Sequence, residues 1–375
     1  MSELVIPPNL RPRDGRFGSG PSKIRPQALE ALGRRDDIMG TSHRHAPVRA
    51  VVQHVQELLS HLYALPEGYQ VVMGIGGATQ FWDIATCCLI DHRSAHGVFG
   101  EFSGKFAKAV AAAPFLENPV LFEAPRGVRA IPQATPGCDV YAWPHNETST
   151  GVCAPVVRPE GADEGALVLI DATSAAGGMH VDIAQADAYY FSPQKNFASD
   201  GGLWVALCSP AALDRSARIT ASGRWVPPTL NLTQAASNSA QHQTYNTPAL
   251  ATLLLLESQL VWLLDNGGLD FAARRTQASS GLLYEWAEAS NGLATPFVDD
   301  PGARSPVVVT LEFDPARVDA AQLCATMRAN GIVDIEPYRG VGRNQIRVGC
   351  FVSVDPDDIR ALLASLNWLV ERIAL

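Results

Sequence analysis

Apolar positions in "APVRAVVQHVQELLSHLYAL" recur at three- and four-residue steps: Val48, Val51, Val52, Val55, Leu58, Leu59 and Leu62. That period places them on one stripe of an amphipathic helix. The preceding "KIRPQALEALG" reads as a shorter helix. From about residue 70 to 210 the pattern changes. Short apolar runs, "YQVVMG", "HGVFG", "DVYAWP", "ALVLID", "AYYFS" and "LWVALCS", alternate with helical stretches. This predicts an α/β fold, a mostly parallel sheet with helices on both faces. A long apolar helix at about 248–265 and a second one, "LDFAARRTQASSGLLYEWAEAS", lead out of that region. The tail then predicts a strand ("SPVVVTLEF"), a helix ("DAAQLCATMRANG"), strands ("IVDIEP", "QIRVGCF") and a helix ("PDDIRALLASLNWLVERI"). The expected organisation is an irregular arm over 1–16, a large domain over 17–265 and a smaller α+β domain over 266–375.

Composition narrows the classes. Of 375 residues 47% are hydrophobic and 18% charged, which suits a well-buried globular chain. A net charge of −9 argues against nucleic acid as a general partner, since that needs a basic face. The most apolar segment is interrupted by Glu257 and Gln259, so a buried helix is expected there and no membrane span. The first twenty residues lack the apolar core of a signal peptide. Seven scattered cysteines without CxxC spacing indicate neither a disulfide framework nor a zinc site, and fit a reducing, cytoplasmic compartment.

In open α/β sheets chemistry gathers at the carboxyl ends of strands, where Thr79, Asn146, Asp171 and Lys195 all fall. The turn "GIGGATQ" opens a helix whose free N–H groups suit a phosphate, although a plain strand–helix turn has the same look. Thr79 stands where a dinucleotide fingerprint wants Gly or Ala, which weakens an NAD-dependent oxidoreductase reading. Asp171 precedes Lys195 by 24 positions, with the strand "ADAYYF" between them. Adjacent strand ends would bring both into one cleft. An aspartate facing a cationic ring nitrogen beside an imine-forming lysine is the pyridoxal phosphate arrangement. The spacing alone also suits a capping aspartate beside a loop lysine.

The ordered motifs "FGSGPSKIRPQALEAL", "SHR", "GIGGATQFWD", "HNETSTG", "DATSAAGG", "SPQKNF" and "YNTPAL" resemble the phosphoserine aminotransferases, class-V pyridoxal phosphate enzymes of fold type I. The likeness runs from about residue 17 onward and is most specific over 140–200 and at "YNTP". The arm and the tail "EPYRGVGRNQIRVGCF" are similar to the actinobacterial branch. The resemblance implies that Lys195 bonds the cofactor and shuttles a proton between substrate and cofactor, while Asp171 holds the pyridine nitrogen. It further implies that Thr148 bonds the phenolic oxygen and that Gly77, Ala78 and Gln194 surround the cofactor phosphate. Asn246 and Thr247 would reach that phosphate from the other subunit of a homodimer. Arg347 would bind the substrate carboxylate, and His43 and Arg44 its phosphate. Arg339 is a further phosphate candidate, with Arg343 as its alternative, and His45 reads as a structural neighbour.

This chain departs from the family at two positions. Phe102 stands where a ring-stacking tryptophan is common, which keeps an aromatic face. Ala78 stands where some members carry arginine, leaving phosphate binding to backbone N–H groups. The implied reaction is ping-pong transfer of an amino group from L-glutamate to a phosphorylated 2-oxoacid, 3-phosphohydroxypyruvate, giving O-phospho-L-serine and 2-oxoglutarate. The nearest rival is an alanine–glyoxylate-type transaminase, with less need of the "SHR" pair. A cysteine desulfurase would need a nucleophilic cysteine on a mobile loop, whereas Cys324 reads as helix and Cys350 as strand. A non-catalytic metabolite-binding protein would leave the Lys–Asp–Thr set idle.

Overall fold

The computed structural model describes residues 4–340 and 342–373. In chain order the first strands are β1 (Gln70–Gly76), β2 (Ser94–Val98), β3 (Val120–Glu123), β4 (Val140–Pro144), β5 (Asn146–Glu147), β6 (Val152–Cys153), β7 (Leu167–Asp171), β8 (Ala188–Phe191) and β9 (Gly202–Cys208). Seven of them form one sheet in the order β1-β9-β8-β7-β4-β2-β3, and β5 with β6 makes a small hairpin. The pairs from β8 through β7, β4 and β2 to β3 are parallel, while β9 runs antiparallel to β1 and β8.

The helices are α1 (Pro26–Leu32), α2 (Ala46–Leu62), α3 (Ala78–Cys88), α4 (Glu101–Ala111), α5 (Pro210–Ala221), α6 (Leu232–Ser239), α7 (Leu250–Asp265), α8 (Gly268–Glu288), α9 (Ala320–Ala329) and α10 (Pro356–Ile373). Strand side chains alternate between faces, so each strand feeds two cores. Val71, Met73, Tyr189 and Phe191 pack with α2 and α7 on one face. Val72, Ala188 and Tyr190 pack with α3, α4, α5 and α6 on the other. No helix among the described residues is long and apolar enough to cross a membrane.

A second sheet joins β10 (Ala294–Pro296), β11 (Val308–Phe313) and β12 (Gln345–Gly349), all antiparallel. Its core collects Leu323, Ile346 and Leu366 together with Ile6 and Phe17 from the amino-terminal segment. Ile6 N–H donates to Asn330 Oδ1 at 2.8 Å, and Gly349 N–H to the Phe17 carbonyl at 2.8 Å. The expected strand "IVDIEP" does not form: Val333 bonds the amino-terminal segment in an isolated bridge with Arg16, while the Ile335 carbonyl accepts from Arg347 N–H of β12 at 2.8 Å. Helix α8 contributes Ala272 to the first core and Leu283 to the second.

Candidate active site

Because β7 and β8 are parallel neighbours with Asp171 opposite Tyr190, the loops after both strands open on the same edge. Pro144 at the end of β4 pairs with Asp171 from the other side. A cavity of about 240 Å³ lies at these strand ends, lined by Asp171, Thr148 and Lys195. Its other predicted lining residues are Gly77 and Ala78 at the start of α3, Phe102 on α4, and Gln194.

Lys195 is 7% exposed, and its Nζ donates to Thr148 Oγ1 at 2.9 Å. Burial, and then the nearby Arg347 guanidinium, push its ammonium pKa down to about 8, against the opposing pull of Asp171 and Glu147. The Phe102 ring lies 5.5 Å from Nζ. Gly20 (φ +131°) passes so close that a Cβ there would sit 2.7 Å from Lys195 Cε, so the amino-terminal segment walls in the amine.

Asp171 is held by three donors. Oδ1 accepts from Thr173 N–H at 3.0 Å and Thr173 Oγ1 at 2.6 Å, and Oδ2 accepts from Trp82 Nε1 at 3.1 Å. A carboxylate offers about four acceptor sites, so one is left for a donor in the cavity. Thr148 Oγ1 donates to Ser174 Oγ at 2.9 Å, and Ser174 in turn donates to the Asn146 carbonyl at 3.0 Å. The Thr148 hydroxyl is thereby aimed by its own turn and by the "DATS" loop.

A wider cleft of about 800 Å³ shares Lys195, Thr148, Phe102 and Gly20 with the cavity and continues to Tyr338, Arg339 and Arg347. Arg347, on β12, donates from Nη1 to the Thr148 carbonyl at 2.9 Å, while its buried Nε has no partner. Its guanidinium carbon stands 5.3 Å from the centre of the Tyr338 ring. Burial lowers its pKa from the ordinary arginine value. Of the two alternatives for the substrate phosphate, Arg339 is exposed and lines the cleft. Arg343 is instead engaged by Glu312 at 2.7 Å and packs over the Phe297 ring.

His43, Arg44, Asn246 and Thr247 are not among the residues lining the Lys195 cavity or its cleft. Thr247 Oγ1 lies 3.2 Å from His43 Nδ1, Asn246 borders a separate small cavity with Gly74 and Trp204, and Arg44 and His45 are exposed. Burial, then Arg44, lowers the His43 pKa. No cysteine lines the cavity or cleft among the described residues. Cys324 is buried in α9 with its thiol pushed up to about 12, and Cys350 is buried beyond β12.

Sequence reasoning passed over Trp82, Thr173, Ser174, Glu147 and Tyr338. Thr173 was open to notice, since a hydroxyl two residues after an aspartate closes a local turn. Trp82 and Tyr338 carried no local sign; Trp82 is placed by the packing of α3 and Tyr338 by an irregular loop before β12.

The class-V aminotransferase family matches residues 130–333, over half the chain and including Thr148, Asp171 and Lys195. Fold and site together define an aminotransferase of that class. A phosphoserine aminotransferase of Nocardioides sp. is 55% identical over 372 residues, covering 99% of each chain. A Mycolicibacterium vanbaalenii protein bearing the same name provisionally is 58% identical over 370 residues, again covering 99% of each. The solved phosphoserine aminotransferase of Cytophaga hutchinsonii shares the fold, with a TM-score of 0.85 at 22% identity over 95% of this chain and 98% of that one. This chain belongs to the phosphoserine aminotransferase family.

Proposed function

We propose that this chain transfers the amino group of L-glutamate to 3-phosphohydroxypyruvate, giving O-phospho-L-serine and 2-oxoglutarate, with pyridoxal phosphate as cofactor. The carrying observation is a buried lysine amine bonded to Thr148 Oγ1, with Arg347 fixed to the carbonyl of that same threonine. Family membership supports the reaction class.

The cavity fits the cofactor on three counts. The spare acceptor site of Asp171 suits a protonated ring nitrogen. Gly77 caps α3 without any side-chain hydrogen bond, leaving first-turn N–H groups for a phosphate beside Ala78 and Gln194. Two buried oxygens, Asn146 Oδ1 and Gln194 Oε1, have no partner. Phe102 would cover a ring face and Thr148 would meet the phenolic oxygen. When bound, pyridoxal phosphate supplies an electron sink for negative charge at the substrate Cα.

Lys195 Nζ would carry the proton off the Cα of L-glutamate toward the cofactor carbon in one half-reaction, and deliver a proton to the Cα formed from the oxoacid in the other, which its lowered pKa favours near neutral pH. Arg347 anchors the α-carboxylate through its planar fork. Because one turn at Thr148 fixes both groups, the carboxylate anchor and the proton carrier keep a set separation. Tyr338, Phe102 and the segment at Gly20 limit water around Nζ.

The test is absorption spectroscopy. L-glutamate should bleach the visible band of the lysine-bound cofactor, and 3-phosphohydroxypyruvate should restore it. Restoration by glyoxylate or pyruvate alone would transfer the assignment to an alanine–glyoxylate-type enzyme. Absence of any band after incubation with pyridoxal phosphate would refute the cofactor.

The proposal includes a homodimer in which His43, Arg44, Asn246 and Thr247 serve the site of the other copy. Its support is that none of these four lines the Lys195 cavity or cleft of its own chain, while His43 meets Thr247 outside it. Lys195→Ala and Arg44→Ala, each impaired alone, should complement when mixed. Random pairing gives half heterodimers with one native site each, hence about a quarter of native activity. No recovery would remove the shared-site arrangement. We further assign 1–16 to an arm, 17–265 to a large unit and 266–375 to a small one, the described part of the arm, from residue 4 onward, docking on the small unit's core. A cytoplasmic setting is part of the same reading, supported by seven free cysteines.

A further inference from the structure

Glu147 lies inside the "NET" motif, is 0% exposed and does not line the cavity. A carboxylate removed from water needs compensation from donors or cations. Its Oε2 accepts from Ser103 N–H and Ser103 Oγ, each at 2.9 Å. Its Oε1 accepts from Ser149 Oγ at 2.6 Å, Ser149 N–H at 3.2 Å and Phe102 N–H at 3.4 Å. Ser149 Oγ in turn accepts from Glu101 N–H at 3.0 Å. The first N–H groups of α4 are therefore capped by Glu147 and Ser149, the two neighbours of Thr148. A negative group at a helix amino terminus is favoured by the helix dipole as well. Gly100 permits the approach, since a Cβ there would stand 2.2 Å from Glu147 Cγ.

We propose that Glu147 is a positioning residue of this site: by capping α4 from the adjacent turn, it locks Phe102, Thr148 and the Lys195 amine into one arrangement. The inference rests on the function proposed above for the meaning of that arrangement, though not for the clamp. Phe102 is the second residue of α4, and its ring faces Lys195 Nζ; Thr148 Oγ1 accepts from the same nitrogen. Holding both sides of Thr148 to the start of α4 therefore fixes the two groups that touch the amine. Glu147 also adds a negative charge toward the buried Lys195 ammonium and the half-buried Arg347 guanidinium. Around Lys195 the charged groups are Arg347 from β12, Asp171 at the end of β7 and Glu147 from β5. Glutamine in its place would lose that charge and would turn an amide N–H toward the N–H groups of α4.

The experiment uses cofactor-free protein: native, Glu147→Gln and Ser149→Ala. Amide hydrogen exchange is read over 100–103, with α3 as internal control, and capture of pyridoxal phosphate by Lys195 is followed by absorbance against pH. In Glu147→Gln, exchange over 100–103 should quicken about tenfold, the size of a lost cap. Removing a negative charge disfavours the ammonium form, so the capture midpoint should fall below about 8. Ser149→Ala keeps the charge, so it should quicken exchange at 101 and leave the midpoint in place; it also decides the clamp should Glu147→Gln not fold. Unchanged exchange, or an unmoved midpoint in Glu147→Gln, would overturn the proposal. If native protein captures no pyridoxal phosphate, the function fails instead, and the exchange result still decides whether Glu147 clamps α4.

Discussion

Lys195→Ala should lower turnover by about 10⁴-fold or more, since it removes both the covalent attachment and the proton carrier. The same change should leave the fold intact or firmer. Lys195 is buried, and burial together with Arg347 already works against its charge. Taking away a disfavoured ammonium relieves part of that cost, while the hydrogen bond to Thr148 Oγ1 is lost. The expected pairing is therefore lost turnover with a melting temperature at or above native. Steady-state rates and a thermal melt on one preparation check it. Turnover within tenfold of native would remove Lys195 from the chemistry, and a collapsed melt would make it a structural lysine. Added small primary amines should recover some activity, because the space beside Gly20 and Phe102 would accept one.

Much of this site could be read from the chain because it depends on parallel neighbours. "ALVLID" and "AYYFS" are short, continuously apolar and one crossover apart, and adjacent parallel strands must open their next loops on the same edge. That logic brings Asp171 and Lys195 together without any distance information. Edge strands were harder. In β3 "VLFE" alternates between half-buried and exposed positions, and β10 is three residues ending in proline, so neither has a strong period. "IVDIEP" has the apolar character of a strand, yet Val333 in it bonds the amino-terminal segment at Gly15 and Phe17, far away in the chain. No local pattern reports a contact of that range. The same holds for Trp82, whose indole meets Asp171 through the packing of α3 on the sheet. Tyr338 is set against Arg347 by a loop with no regular element. The pairing of Arg343 with Glu312 was equally out of view, since Glu312 lies 31 residues earlier on β11.

Arg347 carries the second large effect, and its geometry says why lysine should not replace it. One prong, Nη1, is fixed on the Thr148 carbonyl, and the guanidinium packs against the Tyr338 ring. The buried Nε has no protein partner, so the group retains donors for a planar anion such as a carboxylate. A lysine amine could reach the anion or Thr148, but lacks the fork that joins the two. Both substrates of the proposed reaction bring an α-carboxylate, so both half-reactions should suffer alike. Truncating one member of a buried, hydrogen-bonded charge pair costs about 2–5 kcal/mol, so kcat/KM for Arg347→Ala should fall on the order of 10²–10³-fold with either substrate. Arg347→Lys should recover about tenfold of that at most. The control is Arg339→Ala: this arginine is exposed on the same cleft, so screening by water should hold its loss to about tenfold. Single-turnover rates with L-glutamate and with 3-phosphohydroxypyruvate measure the two halves separately. A loss confined to one half would show that Arg347 grips a group particular to that substrate, and the α-carboxylate assignment would fall.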